Sequence, residues 1–181
     1  MAQRDMPGPS HEPEIVPSAI HGVIVSKAPH VDYASGVLTE LYRPEWPGIF
    51  AGDEPIVHLY TVFSPDGETR DEWYFHEHTL DRYNVLAGRL DVALFDPRED
   101  SPSVGREMVV ELGVAGSGYP NQVRIPPGVW HSLRWQPGGG IFLNAKSPGY
   151  QALTPDKFRI SRQELAEHPH ADFLLHWADG S

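Results

Sequence analysis

The chain has 181 residues, a formal net charge of −11 and no cysteine. This length suits one domain with a substantial core, while the lack of cysteine excludes disulfides and thiolate metal ligands. The 14 Lys and Arg residues are too few for the broad basic surface that nucleic-acid binding needs. No apolar run approaches the ~18 residues of a membrane span, and the N-terminus lacks an apolar signal core. We therefore expect a cytoplasmic protein without nucleic-acid or membrane partners.

Short strands separated by turns dominate the predicted secondary structure. Proline occurs 18 times and glycine 17 times, which favours short strands over long helices. Residues 1–19 hold several prolines among polar neighbours and predict a flexible N-terminal arm. Strand candidates follow at residues 21–27, 36–43, 55–63, 72–79, 82–88, 89–96, 106–113, 121–127, 130–136 and 140–146. We therefore expect residues 20–150 to form a β-sandwich or small barrel.

The C-terminal segment departs from this strand pattern. Ser161 followed by Glu164 is the signature of a helix capping box, and Leu165 lies about one helical turn after Ser161. The sequence therefore predicts an all-β domain in which residues 151–181 form a C-terminal tail with a short helix.

Two histidines on one predicted strand form the strongest chemical signal. Because side chains alternate across a strand, His76 and His78 are expected on one face, together with Tyr74. Downstream, a Pro-Pro-Gly turn shortly precedes His131. Neutral imidazoles are good ligands for Zn, Fe, Ni, Cu or Mn. His76, His78 and His131 are therefore candidate metal ligands, with Asp81 as a candidate fourth.

These segments resemble the two motifs of the cupin superfamily. Residues 76–88 resemble its His-x-His…Glu…Gly motif, with Asp81 in place of the glutamate, and residues 126–131 resemble its P-x-G-x-x-H motif. The resemblance implies a double-stranded β-helix, the cupin or jelly-roll barrel. It also implies that the motif histidines and the carboxylate bind a metal.

A longer resemblance, over most of residues 20–160, is to the dTDP-4-dehydrorhamnose 3,5-epimerase branch of the cupins. It is carried by the segments GVIVSKAPHVDYASG, WYFH, GRLDVALFDPREDSPSVG and VRIPPGVWHSL. The resemblance implies a metal-free enzyme with a histidine base assisted by an aspartate, and a tyrosine acid. The base corresponds to His76, whereas Asn144 stands in the place of the tyrosine and Asp81 in that of a lysine. The aspartate has no evident counterpart.

Two mechanisms compete for the same side chains. In the first, a metal-free isomerase or epimerase acts on a carbonyl-bearing substrate such as a nucleotide sugar. His76 removes the proton alpha to the carbonyl, with Asp81 and Tyr83 as further catalytic candidates. In the second, a divalent metal bound by the histidines serves an oxygenase, lyase or decarboxylase, and Asp81 or Tyr83 moves the proton. A non-catalytic ligand-binding cupin is a third hypothesis.

Aromatic and polar residues near the motifs are candidate substrate contacts. Aromatic rings stack on the apolar faces of sugars, and arginines at the barrel mouth suit an anionic group. The candidates are Trp73, Arg82, Trp130, Arg134 and Asn144, with Arg70 as a further arginine. Because an open barrel of short strands leaves sheet edges to cover, we also expect a homodimer that binds a small molecule.

Overall fold

The computed structural model describes residues 11–50, 55–65, 72–147 and 156–168. Within these ranges the chain is almost entirely β-structure. In chain order the strands are β1 (Glu14–Val16), β2 (Ile24–Lys27), β3 (His30–Tyr33), β4 (Gly36–Thr39), β5 (His58–Ser64), β6 (Glu72–His76), β7 (Asp81–Phe95), β8 (Glu107–Leu112), β9 (Gln122–Ile125), β10 (Trp130–Lys146) and β11 (Lys157–Ser161), and the helix α1 spans Arg162–Ala166. The predicted all-β class and short C-terminal helix are confirmed.

Two long strands, β7 and β10, organise a nine-stranded antiparallel sheet. They pair with each other along most of their length. The first part of β7 also pairs with β9 and its second part with β8, while β10 pairs with β6 near its start and with β5 near its end. β1 and β2 extend the sheet beyond β9, and β11 extends it beyond β6. The long strands thereby join the two layers of a cupin barrel, as predicted.

A glycine pair lets both long strands bend without ending. Gly88 pairs with Gly140, and the register shifts between Trp135 and Gly140. Gly88 has a φ of +78°, and a Cβ at this position would lie 2.0 Å from the carbonyl oxygen of Gly139. Only glycine fits such a close approach of two backbones. The result is a bulge at the barrel corner.

The bend corrects part of the predicted strand pattern. We expected separate strands at 82–88 and 89–96, and at 130–136 and 140–146, but each pair is one continuous strand. Two strands also lie beyond the expected barrel limits of residues 20 and 150. β1 lies within the predicted arm and pairs with β2, and β11 lies within the predicted tail and pairs with β6.

Residues on both faces of the second half of β7 are buried. Leu90, Val92 and Leu94 belong to a cluster between the barrel layers. The alternate residues Ala93 and Phe95 face a second cluster on the outer side of the sheet. The second cluster is completed by Trp73 and by Leu165 of α1, with Trp130 and Ile160 packed against it.

The helix α1 covers this outer cluster, and its start follows from the sequence. The Ser161 side chain accepts a hydrogen bond from the backbone N–H of Glu164, and the Glu164 carboxylate accepts one from the Ser161 backbone N–H. This is the predicted capping box. Among the residues described, no helix has the length and apolar character that crossing a membrane requires.

Candidate active site

A cavity of about 440 Å³ opens inside the barrel. Strands β5, β6, β7, β10 and β11 contribute its walls, which combine aromatic, imidazole and charged side chains. The lining residues are Tyr60, Val62, Phe63, Ser64, Pro65, Glu72, Tyr74, His76, Asp81, Tyr83, His131, Leu133, Trp135, Phe142, Lys146 and Lys157. The predicted catalytic residues His76, Asp81 and Tyr83 are therefore brought together, and His131 joins them.

His76 is the last residue of β6, and Asp156 holds both its ring and the turn that follows. The Asp156 carboxylate accepts hydrogen bonds from the backbone N–H groups of residues 77–79 at 2.7–3.0 Å. His76 Nδ1 lies 3.2 Å from the Asp156 carbonyl oxygen and 3.7 Å from its carboxylate. Since a carbonyl oxygen only accepts hydrogen bonds, Nδ1 carries the proton. The Nε2 lone pair of His76 is left for the barrel interior.

The electrostatics keep His76 neutral and Asp156 ionised. Burial lowers the pKa of His76, and the nearby Lys146 ammonium lowers it further, against the opposing charges of Asp81 and Asp156. For Asp156, burial opposes ionisation, but the hydrogen bonds from Thr79 and the neighbouring backbone outweigh it and lower the pKa. A neutral imidazole with a fixed tautomer is ready to accept a proton.

Asp81 lies at the centre of the charged groups and is only 1% exposed. Its carboxylate is 3.1 Å from Lys146 Nζ, 3.4 Å from His76 Nε2 and 3.7 Å from His131 Nε2. It also accepts a 2.7 Å hydrogen bond from the Asn144 amide. Burial alone raises the pKa of Asp81, but His131, Lys146, His76 and the Asn144 hydrogen bond outweigh burial and lower it. Asp81 is therefore an ionised carboxylate inside the barrel.

His131 stacks beside His76 and is also neutral. Their ring centroids are 5.8 Å apart with an interplanar angle of 22°. His131 Nδ1 lies 3.3 Å from the carbonyl oxygen of Val129, so it donates there and leaves Nε2 toward Asp81. Burial lowers the pKa of His131 to about 4, with Asp81 opposing the shift.

Among the described residues, three tyrosines line the cavity, and their hydrogen bonds distinguish them. Tyr74 donates to Glu72 at 2.6 Å, and Tyr83 donates to Asp81. Tyr60 instead accepts a 3.0 Å hydrogen bond from the Asn144 amide, so its own O–H is directed elsewhere. Burial raises the pKa of both Tyr60 and Tyr83, which keeps both phenols protonated at neutral pH.

Two lysines bring positive charge to the cavity. Lys146 Nζ lies 3.1 Å from Asp81 and 3.4 Å from His76 Nε2. Lys157 Nζ lies 3.9 Å from the centre of the Tyr74 ring, a cation–π contact. Burial lowers the pKa of Lys157, and repulsion from Lys146 adds to the effect. These two ammonium groups share the cavity lining with the carboxylates of Asp81 and Glu72.

The residues present do not fit a resident metal, although a ligand set exists. Ligand atoms of His76, Asp81 and His131 all lie within 4.8 Å of one another. However, the Lys146 ammonium is in contact with both Asp81 and His76. A cation is thus already part of the cluster and would repel a second one at this distance.

The expected placement of His78 beside His76 is wrong. β6 ends at His76, and His78 is exposed in the turn held by Asp156. Its near neighbours of ligand type are Glu77 and Asp156, outside the cavity. The strand therefore ends three residues before the end of the predicted strand 72–79.

Most of the predicted substrate contacts face away from the cavity because each is one residue out of phase with a lining residue. Trp73 precedes Tyr74 and is fully buried in the outer cluster, and Trp130 precedes His131 and packs against Phe75 with ring centroids 4.9 Å apart. The prediction that Trp73 and Trp130 contact the substrate is therefore wrong, because alternation along β6 and β10 directs both side chains away from the cavity.

The same phase error applies to the two arginines. Arg82 follows Asp81, is fully buried, and donates to the Ile49 carbonyl and the Ser147 hydroxyl. Arg134 forms an ion pair with Asp91 at 3.0 Å. Neither lines the cavity, and Arg70 lies outside the described residues. Asn144 does contact the lining side chains of Asp81 and Tyr60.

The sequence analysis missed four residues of the site, which are Tyr60, Lys146, Asp156 and Lys157. Lys146 shares a strand face with Asn144, which alternation alone would have indicated. Asp156 approaches His76 from 80 positions away in sequence, and no local pattern signals that contact. The Asp156 carboxylate lies 3.7 Å from His76 Nδ1.

Comparisons with known proteins indicate the family and the fold. No family model matches the sequence. The chain is 30% identical over 129 residues to the probable low-salt glycan biosynthesis epimerase Agl13 of Haloferax volcanii, covering 69% of this chain and 77% of that protein.

Solved structures show the same fold. A dTDP sugar isomerase from Desulfovibrio desulfuricans matches with a TM-score of 0.68 and 20% identity, over 86% of this chain and 91% of that one. The dTDP-6-deoxy-D-glucose-3,5-epimerase RmlC from Legionella pneumophila, solved with dTDP-4-keto-L-rhamnose, matches with a TM-score of 0.68 and 19% identity, over 82% and 78%. The identity to the Haloferax epimerase extends over most of both chains, and the chain therefore belongs to the same sugar-epimerase family as that glycan biosynthesis epimerase, with the fold of the dTDP-sugar epimerases.

Proposed function

We propose that the chain epimerises a nucleotide-linked keto sugar by removing and returning a proton on a carbon next to the carbonyl. The observation that carries the proposal is the state of His76. Its Nδ1 is held by Asp156 while its unprotonated Nε2 faces the cavity within 3.4 Å of the Lys146 ammonium. A base and a cation at adjacent positions are what enolate formation requires.

The proposed step begins with the C–H bond alpha to the carbonyl. His76 Nε2 takes the proton, the electron pair of the C–H bond forms the enolate, and the negative charge develops on the carbonyl oxygen. Lys146 stabilises that oxygen by charge and hydrogen bonding. In exchange it loosens from Asp81, whose remaining contacts to Asn144 and Tyr83 keep the carboxylate in place.

Tyr60 is the proposed acid that returns a proton to the opposite face of the carbon. Its hydroxyl accepts from Asn144 and therefore keeps its own hydrogen for a ligand, whereas Tyr74 and Tyr83 donate theirs to carboxylates. Asn144 thus acts as a positioning residue. The tyrosinate recovers a proton from solvent, and His76 releases its proton there.

The substrate class follows from the cavity and from the relatives. A dTDP sugar and a 4-keto-6-deoxy sugar are named for solved structures of the same fold. The cavity here offers two lysines for anionic groups and the aromatic side chains of Tyr74, Trp135 and Phe142 for a sugar or base. We therefore propose a nucleoside diphosphate 4-keto sugar. The alternative of a metal-dependent oxygenase, lyase or decarboxylase is less well supported, since Lys146 sits against the ligand set.

The proposal includes a cytoplasmic homodimer. β5 pairs on one side with β10, and two of its exposed side chains are apolar: Leu59 is 58% exposed, and Phe63, which also borders the cavity, is 67% exposed. A strand with this exposed surface is suited to contact with a second copy of the chain. Light scattering after size-exclusion chromatography tests the assembly, and Leu59→Glu is expected to yield monomers.

The function is tested by product analysis. A dTDP-linked 4-keto-6-deoxyhexose is incubated with the protein in the presence of EDTA, and proton NMR follows the appearance of an epimer. We expect wild-type turnover, about 10²-fold slower turnover for Tyr60→Phe, and little change for the matched control Tyr74→Phe. Binding without turnover would favour the non-catalytic alternative. Turnover that requires added metal would favour the metalloenzyme.

A further inference from the structure

We infer that Lys146 is a tethered cation bound against a preformed metal-ligand set, His76, Asp81 and His131, and that a divalent transition metal binds to this set once the ammonium group is removed. The inference does not depend on the proposed epimerase activity, because its readout is metal binding.

The spacing of the ligand set matches that of a metal site. His76 Nε2 is 3.4 Å from Asp81 Oδ2, and His131 Nε2 is 3.7 Å from the same oxygen. Ligands about 2.0–2.2 Å from a tetrahedral Zn²⁺ are separated by about 3.4 Å. The two distances therefore require only a small adjustment to accept an ion.

The orientation of both imidazoles also matches a metal site. Nδ1 of His76 lies against the Asp156 carbonyl oxygen at 3.2 Å, and Nδ1 of His131 lies against the Val129 carbonyl oxygen at 3.3 Å. A carbonyl oxygen accepts the Nδ1 proton and leaves Nε2 as a lone-pair donor, which is how metal-binding histidines are commonly held. Both Nε2 atoms point toward the Asp81 carboxylate.

The Lys146 ammonium group already neutralises the Asp81 carboxylate, which is one member of the ligand set. Its Nζ lies 3.1 Å from Asp81 Oδ1 and 3.4 Å from His76 Nε2, and its side chain is only 12% exposed. A divalent ion bound to the same groups would lie within a few ångströms of this ammonium group, and the two positive charges would repel each other strongly. Two nitrogens and one carboxylate oxygen suit Zn²⁺ or Co²⁺.

The test measures Co²⁺ binding to the full-length chain by visible absorption, and Zn²⁺ content by mass spectrometry after dialysis. Lys146→Met removes the ammonium and keeps an unbranched side chain. We expect about one Co²⁺ per Lys146→Met chain, bound at least ~100-fold more tightly than by wild type. The matched control Lys157→Met removes another cavity ammonium that lies on the Tyr74 ring, and it should gain no site.

Second variants locate the ion and guard against misfolding. Adding Asp81→Asn or His131→Ala to Lys146→Met should abolish the absorption, whereas adding His78→Ala should not, because His78 belongs to the exposed group with Glu77 and Asp156. Lys146→Ala repeats the test with a smaller side chain, and circular dichroism checks that each variant is folded. Folded Lys146 variants without a site overturn the inference. So does wild-type protein that binds stoichiometric metal and loses it in Asp81→Asn.

Discussion

Asp81 and Asp96 stand at opposite ends of β7, and both carboxylates are shielded from solvent, with residue exposures of 1% and 0%. The hydrogen-bond donors around Asp96 are a guanidinium group and two hydroxyls, which do not titrate near neutral pH. It accepts hydrogen bonds from Arg98, Ser101 and Ser103 at 2.5–2.9 Å. Asp81 instead contacts the titratable side chains of His76, His131 and Lys146, and it faces a cavity of about 440 Å³. The same residue type therefore holds a loop at one end of the strand and, in the proposed mechanism, organises the reaction site at the other.

The Asp96 cluster explains the signature DPREDSPSVG in structural terms. Burial raises the pKa of Asp96, but the hydrogen bonds from Arg98, Ser101 and Ser103 outweigh it and lower the pKa to about 2. The Ser103 hydroxyl also accepts a hydrogen bond from the backbone N–H of His21, and the Arg98 guanidinium donates one to the backbone carbonyl of His21. The signature thus fixes one loop to the start of the barrel and lies away from the cavity lining.

The largest effect is expected at the reactive end of the strand. His76→Gln removes the base but keeps a polar side chain in a similar volume, so kcat should fall about 10³-fold. The urea midpoint of unfolding should change little, since the Asp156 contacts to the turn remain. An unchanged kcat in steady-state kinetics would contradict the assignment of His76 as the base.

At the structural end the expected effect is on stability. Asp96→Ala leaves the Arg98 guanidinium and two serine hydroxyls without their shared acceptor, and it should lower the free energy of unfolding by on the order of 3 kcal/mol. The control is Asp100→Ala, an exposed position in the same loop, which should unfold like wild type. Activity per folded Asp96→Ala molecule should be retained. A selective loss of kcat would break the distinction between the two regions.

The pH dependence of activity should report His76. Its pKa is lowered by burial, and the neutral form is the base, so kcat/KM should fall only as the pH drops below the ordinary histidine value of about 6.5. The Asp156 charge raises the pKa of His76. Asp156→Asn should therefore move this acid limb to still lower pH. A limb that moves to higher pH would contradict the contact.

The smallest effect concerns acid stability. The folded-state pKa of Asp96 is about 2 against an ordinary value of 3.8, so its stabilising contribution is present above pH 3.8 and is lost as the pH falls toward 2. In Asp96→Ala the free energy of unfolding should depend less on pH across that interval. Urea unfolding at several pH values measures the slope, and equal slopes in wild type and variant would contradict the account.

Strand alternation made much of the site predictable. Most of the wrong assignments fell on residues next to a lining residue, whose side chains lie on the opposite face of the strand. Tyr74 and His76 were placed on one face and do line the cavity. Trp73 and Arg82 were chosen for their chemistry although they directly adjoin lining residues, and alternation sends them to the other face. The prediction that His78 lies beside His76 was wrong because Asp156, far along the chain, accepts hydrogen bonds from three successive backbone N–H groups and so ends the strand.

Contacts between distant segments were beyond local reasoning. The glycine pair at Gly88 and Gly140 reads as turn residues in sequence, yet their pairing in the barrel turns them into a bend of two continuous strands. Similarly, Lys146 on the neighbouring long strand brings an ammonium group to within 3.1 Å of Asp81, a contact that no local pattern around Asp81 signals.

The measurement that tests the central claim most directly is solvent deuterium exchange into a dTDP-linked 4-keto-6-deoxyhexose, followed by NMR in the presence of EDTA. The account predicts that wild type incorporates deuterium next to the carbonyl, that Tyr60→Phe still exchanges while forming little epimer, and that His76→Gln exchanges about 10³-fold more slowly. Exchange by His76→Gln at the wild-type rate would contradict the claim that His76 removes the proton.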